Sequence, residues 1–404
     1  MIPVEEARRR ICAAFHPLAS EQVTLDQALG RVLATDVVAR VTQPPVAVSA
    51  MDGYAVRAGD VASAPVRLSI VGYAPAGRPY RGTVGDGQAV RIFTGAAVPA
   101  GADSIVIQEN TEAEGDRVLI KQSSATGRHI RPAGLDFAAG DIGLTTGRRL
   151  TARDIGFAAA MSHPRLEVRR RPRVAILATG DELVLPGEIT GDDRIVSSNG
   201  FSLAAFVIAC GGEPINLGIA PDDASALKAM AAGAAGADLL VTSGGASVGD
   251  HDLVKSALAE TGLELDFWRI AMRPGKPLLF GRMGGVPLMG MPGNPVSTLV
   301  CATVFLKPAM EVMLGLAPTA GPTATALLGR DLAQNDERQD YLRATLTHDP
   351  SGQPVATPLS VQDSSMISRL ALADCLLIRQ PYAPAAKAGT RVAILPLSGG
   401  ALSI

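Results

Sequence analysis

Four short loops in the middle third of the chain combine glycine or proline with groups that can bind or transfer phosphate. They are Thr179-Gly180-Asp181-Glu182, Ser243-Gly244-Gly245-Ala246-Ser247-Val248-Gly249-Asp250-His251-Asp252, Arg273-Pro274-Gly275-Lys276-Pro277 and Pro292-Gly293-Asn294-Pro295. Gly244, Gly245 and Gly249 let backbone N–H groups approach an anion, and a helix start behind them adds its dipole. Lys276 and Arg273 supply positive charge. Asp181, Glu182, Asp222, Asp250 and Asp252 at the same edge would repel phosphate unless a Mg²⁺ ion bridged carboxylate and phosphate oxygens. The combination points to metal-assisted chemistry on a phosphorylated, anionic substrate.

Each loop also has a plainer explanation. Thr-Gly-Asp-Glu can be a turn with a helix cap, the Gly-Gly-x-Ser segment a structural turn, and Asn294 a cap for the helix after Pro295. His251 between two carboxylates fits a solvated histidine better than a metal ligand. The argument for function is that all four loops follow predicted strands of one domain, where open parallel sheets bind ligands. Three further clusters, at Ser49–Val56, Arg91–Ala96 and Arg131–Asp136, can each be a strand end followed by a turn.

The elements that must carry the loops alternate. Strands are predicted at 173–178, 214–219, 238–242, 264–269 and as a pair around 278–289, with helices at 199–210, 222–235, 251–261 and after Pro295. Such β-α units imply a mostly parallel sheet with helices on both faces. Strands at 66–71, 89–93 and 104–107 suggest a β-rich insert, and those at 341–346, 375–378 and 391–395 a second small β domain. Residues 4–34 and 150–162 are expected to be helical and to pack together. The expected fold is therefore a multidomain α/β protein. A discontinuous helical module (1–40 and 130–171) carries a β-rich insert (41–129), followed by a three-layer α/β domain (172–320) and a C-terminal β-barrel-like domain (321–404).

Composition narrows the class. The net charge of −2 gives no nucleic-acid footprint, and the sharp basic cluster Arg169-Arg170-Arg171 sits in a predicted linker. The apolar run Val296 to Leu306 is too short to span a membrane and is expected to be a buried helix. Four scattered cysteines form no Cys-x-x-Cys pair, and no export signal opens the chain, so a cytoplasmic protein with reduced thiols is expected. With 43 Gly and 28 Pro against 15 aromatic residues, ligand contacts should rest on charge and backbone N–H groups more than on stacking.

Six motifs then occur in order: Ser-Ala-Met-Asp-Gly-Tyr-Ala (49–55), Arg-Ile-Phe-Thr-Gly-Ala (91–96), Thr-Gly-Asp-Glu-Leu (179–183), Ser-Gly-Gly-Ala-Ser-Val-Gly-Asp (243–250), Pro-Gly-Lys-Pro (274–277) and Pro-Gly-Asn-Pro-Val-Ser (292–297). Over essentially its whole length the chain resembles the molybdopterin molybdenumtransferases, bacterial relatives of the gephyrin E domain. The resemblance implies an elongated homodimer of four-domain subunits whose α/β domain binds molybdopterin. It implies a reaction in which adenylylated molybdopterin and molybdate give molybdenum cofactor and AMP, with Mg²⁺. Transient contact with the molybdopterin adenylyltransferase and with acceptor molybdoenzymes is implied as well.

Carried over motif by motif, the catalytic groups implied are Asp52, Arg131, Asp136, Glu182, Asp222, Asp252, Lys276 and Arg343, with Glu182, Asp222 and Asp252 as metal ligands. The substrate-binding set implied is Thr94, Thr179, Gly180, Asp181, Gly244, Gly245, Ser247, Gly249, Asp250, Arg273, Pro292, Gly293, Asn294 and Ser364. Asp52 and Arg343 lie far in sequence from the α/β domain, so the site should be a cleft between domains, shared by two subunits in a dimer. The chain departs from the family pattern at Arg269 and Arg273 (commonly Lys), Leu135 (often acidic) and Asp363 (commonly Gly). Two rival functions are a nucleotide pyrophosphatase on a related α/β domain, which would not need molybdate, and a gephyrin-like scaffold without catalysis.

Overall fold

The computed structural model describes residues 1–188, 191–244 and 263–397. Its central sheet has six strands, in the order Glu213–Ala220, Arg173–Thr179, Leu239–Ser243, Val286–Met291, Leu279–Met283, Leu263–Trp268. The first four are mutually parallel, and the last two add an antiparallel edge. Two reversals restore the original direction, so Leu263–Trp268 runs the same way as the parallel four. The carboxyl ends at Thr179, Ser243, Trp268 and Met291 therefore share one rim, as the loop positions required.

Alternation along the strands builds three layers. Leu239 and Val241 face a core containing Leu203 and Val207 of helix Asn199–Ala209 together with Val300 and Phe305. Leu240 faces the other way, onto Ala231 and Ala234 beneath helix Ala224–Ala231. The apolar run after Pro295 continues through helix Pro295–Cys301, a wide π turn at Ala302–Leu306 and helix Lys307–Met313. By length and composition that segment could cross a membrane, but 72% of its apolar window is buried inside the fold, which makes it a core helix.

The C-terminal strands Gln339–His348, Pro354–Pro358, Ala324–Leu328, Arg391–Pro396 and Cys375–Arg379 close on themselves, because the last pairs back onto the first. Closure leaves no free edge within the barrel. One further strand joins it from outside: Met272–Arg273, part of the rim loop, pairs in parallel with Gln339 and Asp340. The insert is a six-stranded mixed sheet with a buried cluster on each face.

The expectation of helix throughout 4–34 is corrected. Only Val4–Ala13 is an α-helix, and it does not pack with the helix at Ala152–Ala160. Its Val4, Ala7 and Ile11 enter the central core, because Ile2 is tied to Arg269 O by a 3.2 Å hydrogen bond. Ser20–Thr24 is a strand, paired antiparallel with Arg165–Arg169. The second helix is held by a reciprocal capping box between Thr151 and Asp154, whose carboxylate also meets Arg148 at 2.8 Å.

Candidate active site

Two hydrogen bonds fix the first rim loop against its neighbour: Gly180 N–H donates to Ala220 O at 3.3 Å, and Asp222 N–H to the Asp181 carboxylate Oδ1 at 3.0 Å. Gly180 has φ +146°, and a side chain there would press on the Glu182 carboxylate. Glu182 and Asp222 stand exposed on these adjacent loops. Thr179, at the strand end, is buried with its hydroxyl unpartnered. Of the second loop, Ser243 and Gly244 are described; Gly245, Ser247, Gly249, Asp250 and Asp252, with His251 and the helix expected at 251–261, lie outside the described residues. Among the described residues no three His, Cys, Asp or Glu side chains gather closely enough to hold a metal.

The third and fourth loops face the C-terminal barrel across a cleft of about 530 Å³. Lys276, Gly293, Asn294 and Ser364 line it, with Gln362 and Asp363 alongside. Asn294 does not cap the following helix; its Nδ2 crosses to Ser364 Oγ at 2.8 Å, and Val296 N–H donates to Ser364 O at 3.1 Å. The Lys276 backbone O accepts from Ile270 N–H at 2.9 Å, but its ammonium has no hydrogen bond or ion pair with any described residue, so its charge is open to a ligand.

Arg273, expected to hold phosphate, also lines this cleft, but its charge is already engaged. Its guanidinium binds Asp336 at 2.9 Å and also Asp340, and these two carboxylates neutralise it. The arginine fork in this position is a domain tie, which a lysine would make with one point charge instead of two directed contacts. Burial pushes the Asp340 carboxyl up from its ordinary value while Arg273 pulls it down; the hydrogen bonds of Arg338 hold the more exposed Asp336 at about 2.

Arg343 is 1% exposed, in the barrel strand beneath the cleft. Gln362 grips its backbone on both sides, accepting from Arg343 N–H at 3.0 Å and donating to Arg343 O at 2.9 Å. The guanidinium donates to Asp363 O at 3.1 Å, while its Nε is buried without a partner. Burial lowers its pKa from the ordinary value, and the Asp363 charge opposes that shift. A buried cation with unused donors is suited to receive an anion.

The remaining predicted residues form a second group on the insert side. Asp52 Oδ1 accepts both Thr94 N–H and Thr94 Oγ1–H at 2.8 Å. The backbone bond from Thr94, then its hydroxyl, then the charge of Arg91 hold Asp52 below the usual carboxylate range. Arg91 is itself stacked over Tyr54 and Phe93, at 5.1 and 4.8 Å from the ring centroids. Arg131, Leu135 and Asp136 line a cleft of about 580 Å³ that reaches Gly95, next to Thr94. Of the predicted residues, the structure thus gathers Arg273, Lys276, Pro292, Gly293, Asn294 and Ser364 around the rim cleft and Arg131 and Asp136 around the insert cleft, while Glu182, Asp222 and Arg343 line neither.

The sequence matches three family models in order: MoeA N-terminal region (domain I and II) over residues 2–162, probable molybdopterin binding domain over 175–312, and MoeA C-terminal region (domain IV) over 325–397. A molybdopterin molybdenumtransferase of Nostoc sp. is 40% identical over 336 residues, covering 81% of this chain and 77% of that protein. The chain belongs to the molybdopterin molybdenumtransferase family. The family's enzyme from Haemophilus influenzae is 32% identical across 98% of this chain and 99% of its own length. The crystal structure of the molybdopterin biosynthesis MoeA protein from Pyrococcus horikosii superposes with a TM-score of 0.86 at 30% identity, covering 99% of this chain and all of that one. As a member of this family the chain is a transferase with the multidomain MoeA fold.

Two residues at this family site escaped the motif search. Gln362 sits near the recognised Ser364, but its grip on Arg343 runs from a loop to a strand 19 residues earlier. Asn199 bonds residues 44 and 94 positions away, so no local pattern announces it.

Proposed function

We propose that this chain inserts molybdenum into adenylylated molybdopterin, taking molybdate and releasing AMP. The observation that carries the proposal is the ammonium of Lys276, without a partner among the described residues, in a cleft walled by Pro292-Gly293-Asn294 and Gln362-Asp363-Ser364. Molybdate, the pterin phosphate and AMP are all anions, and relatives across most of the chain are named molybdopterin molybdenumtransferases.

Release of AMP breaks a phosphoanhydride, which is chiefly a problem of positioning and charge. Lys276 offsets negative charge on the phosphate, and the glycine backbone at Gly244 and Gly293 permits close approach. Arg343, with its unused donors, is assigned to molybdate. Glu182 and Asp222 offer hard oxygen donors on neighbouring loops, a set that suits Mg²⁺, since that ion is commonly held by one or two carboxylates plus substrate phosphate oxygens. When bound, Mg²⁺ would supply further neutralisation of phosphate charge.

Asp52, Arg131 and Asp136 line the insert side, away from the rim cleft. A homodimer that sets the insert cleft of one protomer against the rim cleft of its partner would unite both groups around one substrate. The test combines purified protein, adenylylated molybdopterin, Mg²⁺ and molybdate. AMP release that depends on molybdate and yields active cofactor is expected; release at the same rate without molybdate would mean a pyrophosphatase and overturn the proposal.

A further inference from the structure

Asn199 opens the helix Asn199–Ala209 without capping it; the cap position is Ser198, which makes no side-chain capping bond. Both hydrogens of the Asn199 carboxamide leave the helix. One goes to Ser243 Oγ at 2.8 Å, at the end of strand Leu239–Ser243, and the other to Gly293 O at 2.7 Å. A backbone carbonyl can only accept, so the Gly293 contact fixes which end of the amide is nitrogen. Oδ1 is left shut off from solvent without a partner. An unpaired buried acceptor is unfavourable, so neither helix capping nor packing accounts for an asparagine here. Its two donors do.

Those donors lie in a run of contacts that reaches both walls of the rim cleft. Asn199 ties the end of one central strand to Gly293, and the next residue, Asn294, ties the same loop to Ser364 of the C-terminal domain at 2.8 Å. Lys276 stands within that cleft. We infer that Asn199 is a positioning residue: it holds the Pro292–Asn294 wall at the spacing at which Lys276 and Ser364 grip a phosphate-bearing ligand. The inference rests on the anion-binding function proposed above and adds a residue to it.

The informative substitution is Asn199→Asp. It keeps the shape but sets a carboxylate oxygen against Gly293 O at neutral pH, whereas the protonated acid can donate one hydrogen bond there. Asn199→Asp should raise KM for adenylylated molybdopterin about tenfold at neutral pH with kcat nearly unchanged, the signature of lost binding. Relative to wild type, that defect should shrink as pH falls and the new acid protonates, while Asn199→Ala stays defective throughout. Ser243→Ala removes one of the two acceptors and should raise KM less, about threefold. AMP affinity measured by calorimetry should weaken in the same order.

A KM and AMP affinity equal to wild type in Asn199→Asp, with or without a lower thermal midpoint, would reduce the residue to a structural contact and overturn the inference. So would a defect that ignores pH. Wild-type protein that binds AMP but shows no molybdate-dependent release overturns the reaction alone, and AMP affinity then still decides the role of Asn199.

Discussion

Gly244 and Gly293 are both rim glycines, yet the structure requires only one of them. Gly244 has φ +107°, a backbone region that side-chain-bearing residues rarely adopt. A Cβ there would overlap the Thr179 carbonyl oxygen and lie 2.7 Å from Thr179 Oγ1. Neither strand can move away alone, because Ala178 and Ser243 are in register across the parallel pair. Backbone strain of about 1–3 kcal/mol and overpacking of about 1–3 kcal/mol combine to an expected loss of about 2–6 kcal/mol for Gly244→Ala. In Gly293→Ala the new methyl meets, among the described residues, only Gly244 Cα, at 3.6 Å, an ordinary contact. That variant should stay within about 1 kcal/mol of wild type. Trp268 is the single tryptophan and ends a strand of the central sheet, so its fluorescence during urea unfolding reports on this domain. Equal midpoints for the two variants would refute the reasoning, since they differ in backbone angle and in the space beside the glycine.

Lys276→Met should lower kcat/KM for AMP release about 10²-fold or more, as expected for removing a charge aimed at the reacting phosphate, while the urea midpoint stays put because the Lys276 ammonium has no described partner to lose. Asp52→Asn keeps an oxygen able to accept from Thr94, so the thermal midpoint should hold while molybdate-dependent AMP release falls; equal loss of both would mean the residue only builds the turn. Arg273→Ala leaves Asp340 buried without its cation. With the Arg273 side chain 46% exposed, the expected cost at neutral pH is about 1–2 kcal/mol, below that of a fully buried pair. Burial already raises the Asp340 pKa, and loss of Arg273 raises it further, so protonation removes the unpaired charge. The gap in thermal midpoint between Arg273→Ala and wild type should therefore narrow as pH falls, and a gap that widens would contradict the assignment.

Much of this architecture is legible in the chain because it is locally encoded. Arg173–Thr179 is almost wholly apolar, and six of its seven residues are buried, so the run itself declares a central strand. The rim loops announce themselves through glycines and prolines at strand ends. Ser20–Thr24 does not: its local sequence is compatible with helix, and it becomes a strand because Arg165–Arg169 supplies a partner some 145 residues later. Arg273 likewise has the composition of a phosphate ligand, but its neighbours Asp336 and Asp340 come from another domain. Asn199 is invisible for the same reason. What escapes a sequence reading here is whatever depends on partners brought in by tertiary structure, including the type of a short element such as Ser20–Thr24.

The two-residue strand Met272–Arg273 belongs to the central domain by sequence but to the barrel by hydrogen bonding. That has a consequence for recombining modules between relatives. A junction placed in the connection near residue 320, where the barrel begins along the chain, would graft a foreign barrel onto a strand shaped for the original one, and would strand Arg273 opposite unfamiliar side chains. A chimera that carries residues 272–277 together with the barrel moves Lys276 with the scaffold that aims it. The unit of inheritance for this part of the molecule is accordingly discontinuous, and the exchangeable piece is larger than the barrel alone.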